Sequence, residues 1–131
     1  MDTAVWYKNL IKPFFAPPSW LFGPVWAVLY TIIFATYAYI IYLVSKGTLP
    51  KQILLPLILN LLFNFLFSPI QFGLQNNLLA AIDISLVLAT LVWLIIILIP
   101  QYKFLALLQV PYLLWVAFAT VLQFSITWLN K

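Results

Sequence analysis

The side chains that could do chemistry are few. Asp2 and Asp83 are the only acids in 131 residues, and the chain has neither histidine nor cysteine. Hydrolytic triads, thiolate nucleophiles and the usual metal sites are therefore excluded. A bound haem would lack its usual His or Cys axial ligand. Asp83 stands inside the apolar stretch "LLAAIDISL". A carboxylate at membrane depth costs several kcal/mol unless it is paired, hydrogen-bonded or protonated. No other ionisable group lies at similar depth to pass a proton on, so an anchoring role is expected. Its partners would be Lys8, Lys12, the indole N–H of Trp6 or backbone amides of the N-terminal segment.

A second polar set is Asn60, Asn64, Ser68 and Gln71. At helical pitch these share one face, which must look inward because lipid would leave it unsatisfied. Two readings stay open, and they can coexist. The stripe joins helices through hydrogen bonds worth about 0.6–2 kcal/mol each, or it lines a ligand cavity. Aromatic residues supply apolar lining: Trp26, Tyr30, Phe34 and Tyr37 recur at helical spacing, as do Pro111, Trp115, Phe118 and Leu122. Pro24, Pro56, Pro69 and Pro111 free carbonyls and bend helix axes. Bent helices leave room for a pocket that is apolar with a few polar groups, which suits a flat hydrophobic ligand.

The elements that position these residues follow from composition. The sequence is 66% hydrophobic and 6% charged, against roughly 25% charged in soluble domains. It reads as an all-α integral membrane protein. Crossing a bilayer takes about 20 apolar residues. Four such runs are expected, at about 20–44, 52–72, 77–99 and 103–129. Short connections make them an up-down bundle, 19–131, preceded by an interfacial loop or lid, 1–18. The stiff, proline-rich "PPSWLFGPVWAVLY" marks the mouth of that bundle. "MDTAVWYKNL" lacks the build of a signal peptide. Six lysines give a net charge of +4, but no clustered basic face suggests nucleic acid. Three lysines fall on either side, so charge does not orient the bundle.

Taken in order, "WYKNLIKPFFAPPSWLFGPVWAVLY" (6–30), "FNFLFSPIQFG" (63–73), "AAID" (80–83) and "PYLLWVAFATVL" (111–122) resemble the TspO family. These are the tryptophan-rich sensory proteins that include the mitochondrial translocator protein. The resemblance implies a membrane receptor or sensor for tetrapyrroles such as protoporphyrin IX and haem, with sterols and benzodiazepine-type compounds as further ligands. It implies a pocket from Trp20, Gly23, Trp26, Tyr30, Asn60, Asn64, Phe67, Trp115, Phe118 and Ala119, roofed by a leader that Asp83, Lys12 and Trp6 anchor. No cofactor is required, since porphyrin or haem enters as ligand.

Phe67 stands where many members have tryptophan, and Asn60 where they often have glutamine. Gln123 replaces a common asparagine. Light-dependent porphyrin degradation is ascribed to some members; Trp26 retains one position linked to it, and Phe124 replaces another. Members usually have five spans, with the stretch similar to "WYKNLIKP" following the first. The resemblance therefore implies that this first helix is absent and that a homodimer is favoured. Two other classes fit a small four-span protein, a small-molecule transporter and a structural subunit of a larger membrane complex. The first normally needs a membrane-embedded glutamate, which this chain lacks.

Overall fold

The computed structural model describes residues 10–16 and 19–130, and all regular structure among them is helical. Trp6 and Lys8 lie outside the described residues, as do Pro17, Pro18 and the side chain of Gln71. The helices are α1 (Phe22–Ser45), α2 (Leu54–Ser68), α3 (Asn77–Gln101), α4 (Lys103–Leu108) and α5 (Val110–Leu129). Four stretches are long and apolar enough to cross a bilayer: Gly23–Ser45, Lys51–Ser68, Asn77–Gln101 and Val110–Leu129. The chain is an all-α, multi-pass integral membrane protein.

Helix ends follow local chemistry. Gly47, at φ 78°, closes α1: its N–H and that of Thr48 cap the carbonyls of Val44 and Leu43 at 3.0 and 2.9 Å. The second span was expected to run to residue 72, but α2 ends at Ser68. Pro69 has no N–H to continue the ladder, and Pro69–Gly73 forms a single π-helical turn instead. Asn76 then caps α3, its Oδ1 accepting from the Leu79 N–H at 3.0 Å. The third span does not stop before Pro100; a proline in the last turn is tolerated, and α3 runs to Gln101.

The fourth run was expected to be continuous from 103 to 129. It is broken at Gln109, because Pro111 cannot donate back to Leu107. The break gives a short α4 and an α5 with proline in its first turn, a position that suits it.

The core holds Ile33, Tyr37, Ile40, Ile53, Leu57, Ile84, Val87, Leu91, Leu94, Leu98, Tyr112 and Val116, all buried. Along it, α3 is the central member, packed closely by α2 on one side and α5 on the other. Helix α1 meets α4 and α5 more locally and stands further from α2, to which tyrosine side chains reach across. Apolar surface gains little by leaving lipid for protein, so close packing and polar contacts hold such a bundle.

Candidate functional site: an aromatic groove beside the leader

The described part of the leader, Leu10–Ala16, lies along the last three turns of α5. Ile11 is fixed by Asn130 from both sides of one residue. Its N–H donates to Asn130 Oδ1 at 3.1 Å, and its carbonyl accepts from Nδ2 at 2.8 Å. Leu10 and Ala16 pack on Leu122 and Ile126, and the Phe15 ring meets Phe118 edge-on at 6.1 Å. Asn130 and Phe118 are twelve helical residues apart, roughly 18 Å. The leader does not run beside it as a straight strand: it turns at its end, where the Ala16 N–H donates to the Pro13 carbonyl at 3.0 Å.

Where the leader ends, a groove opens between α1 and α5. It is an open groove of about 570 Å³, lined by Pro24, Val25, Val28, Leu29, Pro111, Leu114, Trp115 and Phe118. Its two prolines sit where each helix begins, and the Trp115 indole tilts against Phe118 at 5.6 Å. Among the described residues no charged side chain lines it, and Phe118 is shared between groove and leader.

Deeper in the bundle lies a polar network that joins all four spans. Asn60 Oδ1 accepts from Tyr37 at 2.8 Å and from Tyr112 at 3.0 Å. Its Nδ2 donates to the Val87 carbonyl at 3.0 Å and to Thr90 Oγ1 at 3.2 Å. Asn64 accepts from Tyr30 at 2.9 Å and donates to the Tyr112 hydroxyl at 2.6 Å. A further pair, Gln109 Nε2 to Thr36 Oγ1 at 2.9 Å, ties the break before α5 to mid-α1. Of the two readings of the polar stripe, interhelical bonding accounts for the observed partners of Asn60 and Asn64. Ser68 is exposed and takes no part.

The expected site residues divide into groups. Trp115 and Phe118 line the groove. Trp26, Tyr30, Phe67 and Ala119 are half-buried against the main core, with Trp26 and Tyr30 at 5.4 Å between ring centroids. Asn60 and Asn64 belong to the network, whereas Trp20 and Gly23 are exposed. Asp83 is buried, and its Oδ2 has no hydrogen-bond partner among the described residues. Lys12 donates to the Leu10 carbonyl at 3.3 Å, within the leader itself. Among the described residues there is no group of three or more metal-ligating side chains.

Three contributors were not singled out from sequence. Asn130 holds the leader, Tyr112 links the two asparagines, and Gln109 bonds α1. Pro111 signalled the break, but no local pattern pairs Asn130 with a residue 119 positions away.

These features define a polytopic helical membrane protein with an aromatic groove beside a proline-rich leader. The model of the TspO/MBR family matches residues 1–129, and the chain belongs to that family. It is 39% identical to the tryptophan-rich protein TspO of Archaeoglobus fulgidus over 95% of this chain and 80% of that one. The tryptophan-rich protein TspO of Bacillus cereus is 41% identical, with the same coverage of 95% and 80%. The human translocator protein is 34% identical, over 92% of this chain and 72% of its own length.

Proposed function

We propose that this protein is a membrane receptor or sensor for flat hydrophobic ligands, with tetrapyrroles such as protoporphyrin IX or haem as the first class and sterols as the second. The observation that carries this reading is the groove between α1 and α5. Its volume of about 570 Å³ falls within the roughly 300–1,000 Å³ typical of small-molecule sites. Its lining is aliphatic and aromatic, so a ligand partitioned into lipid can enter sideways with little desolvation cost. Trp115 and Phe118 offer large ring faces with few rotatable bonds, which suits a planar partner. Haem would be held by its ring face, since the chain has no histidine or cysteine.

Ligand and leader share Phe118, so filling the groove can alter how Phe15 packs. That is the step by which a receptor would report occupancy. The test is a titration of detergent-solubilised protein with protoporphyrin IX, following the porphyrin absorption band. Saturable binding is expected, weakened roughly tenfold by Phe118→Ala, the equivalent of about 1.4 kcal/mol. A folded sample that shows no saturable binding overturns the reading.

A further inference from the structure

The end of the bundle opposite the leader carries a charged patch unrelated to the groove. Lys46, Lys51 and Lys103 are all exposed there, on the turn after α1, the turn before α2 and the start of α4. No acid faces them among the described residues. Asp83 is 18 residues from the far end of α3, roughly 27 Å of helix, and the only other acid is Asp2 in the leader. One of these lysines lies over an aromatic cluster, and a second adjoins that cluster in sequence. The Lys46 ammonium lies 5.6 Å from the centre of the Tyr42 ring. Tyr42 stacks on Tyr39 at 6.2 Å, and Tyr39 meets Tyr102 edge-on at 6.1 Å. Tyr102 immediately precedes Lys103. Tyr39 and Tyr42 are 41% and 53% exposed, so their rings face the surrounding membrane rather than the core.

We propose that Lys46, Lys103 and the Tyr39–Tyr42–Tyr102 cluster form a binding site for the headgroup of an anionic phospholipid. Uncompensated lysines at the edge of a bilayer attract anionic headgroups. Tyrosine rings settle at the same depth, where an apolar body meets a wet rim. The cluster supplies a wall for the glycerol backbone and upper acyl chain between two cations that meet the phosphate. The exposed tyrosine faces favour a lipid over a free phosphate ion, because an ion would use the lysines alone.

Native mass spectrometry of the full chain in mild detergent tests this, with phosphatidylglycerol and phosphatidylcholine offered in equal amounts. Phosphatidylglycerol should be retained preferentially, by about fivefold for each of the two lysines. Lys46→Gln with Lys103→Gln should abolish the preference, whereas Lys12→Gln, on the leader side, should leave it intact. Tyr42→Leu should weaken retention while keeping the charge. Thermal unfolding of each variant confirms that it is folded. Equal retention of both lipids, or a preference that survives the double lysine variant, overturns the proposal. So does displacement of the lipid by excess inorganic phosphate, which would mark a site for the free ion. Porphyrin binding at the other end is untouched by any of these outcomes.

Discussion

Asn130 grips Ile11 by its backbone, accepting from the N–H and donating to the carbonyl of the same residue. A side-chain amide can do both at once, because its oxygen accepts and its nitrogen donates. Among the described residues, Leu10 and Ala16 packed on Leu122 and Ile126, and Phe15 on Phe118, also hold the leader to α5. Asn130→Ala should therefore release Leu10–Ala16 while the bundle stays folded. The loss is about 1 kcal/mol for each bond. Hydrogen exchange should show faster exchange at Ile11 and its neighbours, and unchanged protection within α3.

The polar network predicts an order of severity. Asn60→Ala removes one acceptor shared by two buried hydroxyls and should cost about 2–4 kcal/mol, since each stranded donor carries its own penalty. Tyr37→Phe deletes one donor and leaves Asn60 bonded to Tyr112, so about 1 kcal/mol is expected. Reversible unfolding in detergent ranks the two. Equal effects would show that the shared oxygen is not the centre of the network.

Asp83 makes a contrasting case. It is 5% exposed and its Oδ2 has no partner among the described residues. Asp83→Asn keeps the shape and removes the charge that burial penalises. The variant should melt at the same temperature as the parent or higher. A clear loss of stability would mean that the carboxylate is held by a residue of the leader beyond those described.

Val28 offers a way to close the groove without touching the core. It lines the cavity yet is 61% exposed. Val28→Trp should fill part of the space facing Trp115 and lower protoporphyrin affinity at least tenfold, about 1.4 kcal/mol, with little change in melting temperature. Binding that persists unaltered would place the ligand elsewhere.

Much of the architecture could be read before any coordinates. Long apolar runs cannot be anything but spans, and the spacing of Asn60 and Asn64 fixed their inward direction. Their partners could not be read. Tyr30 and Tyr37 read as apolar lining because a helical stripe records where a ring points, not which group its hydroxyl meets across a gap. The ends of the spans depended on finer balances. Pro100 is carried within α3, while Pro69 and Pro111 each break their helix, and composition alone does not separate these cases. The groove was least legible, because it arises from the spacing between α1 and α5 rather than from either helix alone.

The embrace between Ile11 and Asn130 spans 119 positions of chain. During synthesis the leader emerges long before Asn130, Ile126 and Leu122 exist, so it has nowhere to settle until the whole bundle has been threaded into the bilayer. Docking of the leader thus waits on α5, and a nascent chain stalled before α5 would present bare aromatic rings to the membrane's quality-control machinery.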